Sequence, residues 1–340
     1  MDSLTHIAIG ACIGEAVMGR ALGKKALLLG AVLHSLPDVD NVAYLWMDTP
    51  HALLNHRGIT HSLFFTVILT PILAFSGQKL FSKATISLIH WCQFTAICLL
   101  AHLGLDALNS YGTGLLEPFS QQRFSLHWLY VADPLFSLPP IIIAFILLLK
   151  PTSFNRRPTL GVLAISWCVL YTAQAAVCHH VIQSRLAKLL LQKKEATSTY
   201  KQAYITPAPF TTLLWYFVAP AGNGFYTGYL GMFDEPESFK FAYHATNQQL
   251  ASRLPQPAAF KLMEKFANHE YTLEYRLPDT LVMNIPRFGQ VQGWQNPNQP
   301  FAFAYILHPP ASNTGVVQRG RLAGWNRQTI IGYCKRLLGR

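Results

Sequence analysis

The chain has 340 residues, of which 51% are hydrophobic and only 13% charged, with a formal net charge of +11. Soluble domains carry about 25% charged residues, so the composition excludes an ordinary soluble protein and points to a membrane protein with room for a second domain. An excess of Lys and Arg in such a chain sets topology and favours an anionic lipid surface; no aromatic-basic motif accompanies it, so nucleic acid is not expected as a partner.

In chain order, apolar segments occur at 5–19 and 24–37, joined by a turn around Gly23, and then at 62–77, 86–108, 133–149 and 159–181. Roughly 20 residues cross a bilayer, so the first two read as a re-entrant or thinly spanning hairpin and the others as spans. The opening "THIAIGACIGEAV" lacks a basic leader and is broken by Glu15, so no cleavable signal is expected. The cysteines Cys12, Cys92, Cys98, Cys168, Cys178 and Cys334 form no C-x-x-C pair and read as small buried hydrophobes.

Residues 183–202 read as an exposed helix carrying Arg185, Lys188, Lys193 and Lys194. Beyond it, "FYTGYLGMF", "FKFAYHA", "YTLEYRL", "TLVMNIPRF" and "FAFAYILH" predict a small sheet, with Pro278-Asp279 in a hairpin turn and one helix over 257–268. The basic stretch 319–340 has two readings: a membrane-surface amphipathic helix, or a helix packed on the sheet through Leu322, Trp325, Ile330, Tyr333 and Leu337. The expected fold class is an α-helical polytopic membrane domain, residues 1–181, followed by a small sheet-rich α+β extramembrane domain, residues 182–340.

Short loops rich in Lys and Arg mark the cytoplasm. Alternate turns carry Arg20, Lys24, Lys25, then Lys79, Lys83, then Lys150, Arg156 and Arg157, whereas the turns on the other side before residue 182 carry only Arg57 and Arg123. The poorer side is therefore expected to face the periplasm, together with the C-terminal domain.

The polar residues gather on that side. His6 opens the first segment, and His34, Asp38 and Asp40 in "HSLPDVDNV" close the second. His56 and His61 in "HRGITHS" open the third, His102 and Asp106 in "HLGLD" close the fourth, and Asp133 in "ADPLF" opens the fifth. Singly, each has a plain structural reading as a cap, a turn residue or a hydrogen-bonded pair; His51 and His127 fit no spacing and are taken as structural. Together, so many imidazoles and carboxylates at one membrane face are costly without a counter-charge, and a mixed N/O donor set suits Zn, Mn, Fe or Ni. The donors exceed one tetrahedral site, so more than one divalent ion is expected. Gly58 lets the chain turn between His56 and His61, and Arg57 between them offers either a fixed cation for an anionic substrate or a headgroup anchor.

With these motifs placed, the sequence resembles the YdjM-type family of bacterial inner-membrane proteins, described as membrane-bound metal-dependent hydrolases. The matching pieces are "THIAIG", "GAVLHSLPDVDNV", "HRGITHS", "LAHLGLDALNSYGTG" and "ADPLF", with "NIPRFG" and "FAFAYIL" downstream. The resemblance implies a metal site at His6, Asp38, Asp40, His56, His61, His102 and Asp106, with His34 a weaker member, and fixes no substrate. A looser similarity, to helical zinc phospholipase C and single-strand nuclease enzymes, is analogy and favours phosphoester chemistry.

The leading expectation is a metal-dependent hydrolase of an ester or phosphoester, lipid or lipid-linked, at the outer face of the inner membrane. Arg57 is assigned to a substrate phosphate, and Asp40 or Asp133 to orienting a ligand or acting as general base. The alternatives are a metal sensor, a structural metalloprotein or a transporter. Transport is disfavoured because the apolar segments offer almost no ionisable path. A zinc protease is disfavoured because "NHEYT" lacks the second His of H-E-x-x-H.

Overall fold

The computed structural model describes residues 1–192, 203–235, 239–254, 257–277, 280–308, 316–318, 322 and 324–339. The chain divides into two compact units: Met1–Ala43, Asn55–Leu126 and Val131–Gln174 form one, and Tyr44–Leu54, His127–Tyr130 and Ala175–Arg340 form the other.

The first unit is built from helices α1 (Ser3–Leu22), α2 (Lys24–Ser35), α4 (Leu63–Leu80), α5 (Leu88–Ala107), α6 (Pro134–Leu149) and the first part of α7 (Arg157–Gln192); α3 (Thr49–Asn55) falls almost wholly in the second unit. Asp2 caps α1 through the Thr5 amide, and the helix ends at Gly23, whose φ of 57° lets the chain reverse into α2. The two helices meet at glycines. A Cβ on Gly14 would lie 2.0 Å from the Ala26 carbonyl oxygen, and one on Gly30 would lie 2.1 Å from that of Gly10. This close seam of small residues is a membrane packing device, and here it sets the spacing between His6 and His34.

α5 carries a buried stripe of Trp91, Phe94, Cys98, Leu99, His102 and Asp106 at helical spacing. It pairs with α4, where Gly77 faces Trp91. Leu147 of α6 packs against Ala11 and Leu27 of the α1–α2 hairpin. Glu15, the charge that interrupts α1, is fully buried and bound by Arg157 at 3.0 and 2.7 Å. Arg157 also donates to the carbonyls of Leu147 and Lys150. One of the eight basic residues on which the expected orientation rests is thus neutralised inside the fold.

The helices at 63–80, 88–107 and 157–191 are long and apolar enough to cross a membrane, and α6 is a shorter apolar helix.

In the second unit two four-stranded antiparallel meanders follow in sequence. One is β1 (Tyr204–Pro207), β2 (Leu214–Ala221), β3 (Gly224–Gly231) and β4 (Phe241–Ala245). The other is β5 (Thr272–Leu277), β6 (Thr280–Asn284), β7 (Phe303–His308) and β8 (Val316–Gln318). Two helices accompany them, α8 (Pro257–Phe266) and α9 (Arg327–Leu337). The single sheet expected from the sequence is therefore two. β5 pairs with β6 as the expected hairpin, while Pro278 and Asp279 lie outside the described residues.

β2 is buried on both faces. Trp215, Phe217 and Ala219 pack with Ile182, Leu186 and Leu190 of α7, while Leu214, Tyr216 and Val218 pack with Tyr229 and with Tyr333 of α9. The domain boundary expected at 181/182 thus falls inside a continuous helix. Residues 183–192 are not a separate exposed helix, since Leu186, Leu189 and Leu190 are buried and Arg185 donates to the carbonyls of Gly231 and Met232; Lys193 and Lys194 lie outside the described residues. α9 packs on its own unit through Tyr333, which donates to the Pro209 carbonyl at 2.6 Å, and through Leu337 and Trp325; Ile330 and Leu322 are exposed.

Candidate metal centre

Four donors converge at the ends of three elements. α5 presents His102 and Asp106, one turn apart on one face; the 3-10 turn Leu36–Leu45 after α2 presents Asp38; and the short turn Ile59–His61 before α4 presents His61. Nε2 of His61 lies 3.1 Å from Nε2 of His102, 3.3 Å from Oδ2 of Asp106 and 3.5 Å from Oδ1 of Asp38. Nε2 of His102 lies 3.6 Å from the same Asp106 oxygen and 3.7 Å from the same Asp38 oxygen. A tetrahedral ion with bonds of about 2.0–2.1 Å needs donors about 3.3–3.4 Å apart; these five separations lie close to that, and all four atoms fall within 4.8 Å of one another.

A second donor group shares His102. His6, His34 and His102, all fully buried and drawn from three helices, each offer a ligand atom within 4.8 Å of the others. His34 donates from Nδ1 to the Cys98 carbonyl at 2.8 Å, which leaves Nε2 with its lone pair. That nitrogen, Nδ1 of His6 and Nδ1 of His102 are buried and without a hydrogen-bond partner. Buried unsatisfied imidazole nitrogens are costly, and lone pairs of this kind are what a second cation requires. Asp106 links the groups, since its Oδ1 meets Nε2 of His6 at 3.1 Å and the amino group of Met1.

Asp40 stands behind this array. Its Oδ2 lies 3.3 Å from Nδ1 of His61 and accepts from the Arg57 amide at 2.8 Å and from the Thr60 hydroxyl at 3.1 Å. Its Oδ1 meets Nδ1 of His56 at 3.0 Å. Burial opposes its charge, yet the hydrogen bonds with His56 and His61 hold its carboxyl well below the usual carboxylate range. Burial likewise opposes protonation of His61, but Asp106, Asp38 and Asp40 push its pKa up to about 10. The pocket is anionic enough to hold a cation, whether a proton or a metal ion.

The "HRGITHS" loop works differently from its expected form. The left-handed residue is Arg57, at φ 59°, and Gly58 is at φ −85°. Gly58 is needed for close approach, because a Cβ there would lie 2.8 Å from the Asn55 carbonyl oxygen and 2.9 Å from Oε2 of Glu117. The turn at Arg57 sends His56 and His61 apart, with ring centroids 6.0 Å apart. His56 reaches Asp40, and neither residue belongs to the two donor groups.

Arg57 itself is buried. Its Nε lies 3.0 Å from Oδ2 of Asp106, Nη1 donates to Oδ1 of Asn109 at 2.8 Å, and the guanidinium lies over the Tyr111 ring. Its strained backbone is held from outside by the Gly114 amide and by Nη1 of Arg123, which donates to the carbonyls of both His56 and Arg57.

Asp133 is not brought to the cluster. It caps α6 through the amides of Leu135 and Phe136 and accepts from the Tyr171 hydroxyl at 2.8 Å. His51 pairs with exposed Asp48, and His127 stacks on Tyr204 in the second unit. Sequence reasoning missed Asn109, Thr60, Arg123 and the Cys98 carbonyl. "LNSYGTG" and "HRGITHS" carried Asn109 and Thr60 inside motifs, and Arg123 entered only as a topology charge, without a role for any of them.

Apolar helices around a buried His/Asp donor cluster define a polytopic membrane protein with a candidate metal centre. Residues 1–182, more than half of the chain, match the YdjM inner membrane protein family, and the chain belongs to it. Inner membrane protein YbcI of Escherichia coli strain K12 is 31% identical over 137 residues, covering 40% of this chain and 78% of that protein. Uncharacterized protein YfhP of Bacillus subtilis strain 168 is 31% identical over 146 residues, covering 39% of this chain and 42% of that protein. No solved structure matches the chain.

Proposed function

We propose that this protein is a membrane-bound metal-dependent hydrolase of an ester or phosphoester, lipid or lipid-linked, with its site and second unit facing the periplasm. The observation that carries the reading is the set of five donor separations, 3.1 to 3.7 Å, among His61, His102, Asp38 and Asp106. His6 and His34 would hold a second ion, which His102 could share only as an imidazolate bridge, since a neutral imidazole offers one lone pair. The N/O donors favour Zn, with Mn, Fe or Ni compatible. When bound, such an ion supplies Lewis-acid polarisation of the scissile group and activation of water.

The chain's own residues supply the rest. Asp40 fixes the tautomer of His61 so that Nε2 faces the other donors. His56, whose side chain is 15% exposed, connects Asp40 toward solvent and offers a route for the proton that hydrolysis releases. Arg57 offsets the charge of Asp106 and places a fixed cation beside the donors, where a phosphoester's charge is stabilised.

The test is metal analysis by mass spectrometry, with a panel of esters and phosphoesters, on the purified full chain. His61→Ala and Asp106→Ala are expected to lose metal and all turnover, and full occupancy in both would sink the shared site. Orientation is tested separately: a cytoplasm-only reporter fused after Gly289 is expected to stay silent.

The burial of His6, His34, His102 and Asp106 favours a second reading, a structural or sensing metal site. Bound metal without turnover of any substrate by the wild type would select it.

A further inference from the structure

The loop between α5 and α6 is fastened to the candidate metal centre. Thr113 and Phe124 exchange backbone hydrogen bonds at 2.9 Å, the Leu63 amide donates to the Leu115 carbonyl at 3.0 Å, and the Gly114 amide donates to the Arg57 carbonyl at 2.8 Å. Arg123 closes the same loop onto His56 and Arg57. The segment 115–124 thus has a fixed place at the "HRGITH" turn.

At its tip the loop exposes apolar side chains. Phe119 is 80% exposed and Leu116 42%. The Phe119 ring meets Phe64 edge to face, with centroids 5.4 Å apart. Phe64 lies in the first turn of α4, one of the helices fit to cross a membrane and the least buried of them. Phe119 therefore continues the lipid-facing surface of a span, although it belongs to a loop. The same kind of surface borders the donors. Of the four-donor group, Asp38 is the partly exposed member, and Val39 beside it is half exposed, as is Ile59 two residues from His61.

We propose that Leu116 and Phe119 insert among the acyl chains at the membrane interface and that the loop carrying them is a lipid-facing entrance to the His/Asp cluster. The substrate it admits is a membrane lipid with a hydrocarbon chain and an ester or phosphoester head. The substrate half rests on the hydrolase reading above; the insertion half does not. Continuity with α4 selects lipid as the occupant, because a polar partner gains nothing from an apolar tip and the adjoining Phe64 is exposed on a helix apolar enough to cross a bilayer.

The test uses the full chain in phosphatidylcholine–phosphatidylglycerol nanodiscs. A fluorophore is placed by Phe119→Cys on a background with Cys92→Ser and Cys334→Ser. Lipids brominated on the acyl chain are expected to quench it, and aqueous iodide to leave it bright. Quenching by iodide alone overturns the insertion. Shielding from both quenchers identifies a packed protein surface, such as a second copy, and overturns it too.

A second arm compares the double variant Leu116→Ser, Phe119→Ser with wild type, after metal content has confirmed an intact site. Turnover of a long-chain phospholipid, as kcat/KM, is expected to fall at least about tenfold through KM, with a water-soluble nitrophenyl phosphoester unaffected. Equal loss on both substrates overturns the entrance. If the wild type cleaves neither, the hydrolase reading fails and takes the substrate half with it, while the quenching arm still decides the insertion.

Discussion

Oδ2 of Asp40 lies 3.3 Å from Nδ1 of His61, on the side of the ring away from the other donors. A carboxylate in that position orients an imidazole and raises its basicity without occupying a ligand place. Asp40→Asn is therefore expected to weaken zinc binding roughly 10–100-fold without changing stoichiometry. His61→Ala removes a ligand and lowers the stoichiometry itself. Competition titration with a chelating dye separates the two outcomes.

His56 and His61 come from one motif, yet their rings diverge. His56→Ala is expected to retain the metal content of the wild type, whereas His61→Ala does not. His127→Ala, in the other compact unit, also retains it. Equal metal loss in His56→Ala and His61→Ala, read by mass spectrometry, would restore His56 to the ligand set.

The seam between α1 and α2 depends on glycine. Gly14→Ala would drive a Cβ against the Ala26 carbonyl, and overpacking of this kind costs about 1–3 kcal/mol. It is expected to lower the thermal midpoint and to weaken metal binding at His6 and His34. Gly104, whose Cβ position is open, is the control: Gly104→Ala is expected to be neutral or stabilising, by up to about 1 kcal/mol. Thermal unfolding in detergent, with and without zinc, checks both.

Glu270 gives a pH dependence whose sign is fixed. Burial raises its pKa to about 7, while Arg287 pulls the other way. Between the unfolded value near 4.5 and about 7, the folded chain holds a proton that the unfolded chain has lost. Stability contributed by this group is present below that window and falls as pH rises through it. Glu270→Gln is expected to flatten the fall and to be the more stable form at pH 8. A difference in midpoint between variant and wild type that shrinks with rising pH would contradict the assignment.

The donor set was legible in part because of helical periodicity. His102 and Asp106 one turn apart, and His6, His34, Asp38 and His61 at segment ends on one membrane side, need only the alternation of spans to meet. The separation of ligands from supporting groups was not legible. It turns on one left-handed residue, Arg57, that no periodicity announces. β2 escaped detection for a related reason. "LWYFVA" is apolar on both faces, and a strand buried on both sides has no alternation to read. The continuation of α7 past residue 181 was hidden by Arg185 and Lys188, whose charges suggested a free surface while the neighbouring Leu186, Leu189 and Leu190 packed on a sheet. The division into two meanders depends on pairing between strands, and composition does not encode it.

The ion pair of Glu15 with Arg157 has a consequence for biogenesis. The partners are 142 residues apart in sequence, and both are buried in the finished fold. Glu15 is made long before Arg157, so during synthesis α1 carries a carboxylate whose counter-charge does not yet exist. An isolated acid in hydrocarbon is expensive, and α1 cannot settle against lipid on its own terms until the head of α7 arrives. The hairpin that supplies His6 and His34 is thus completed by the last of the apolar helices to be made. Closure of the His/Asp cluster is thereby tied to the arrival of the helices that enclose it.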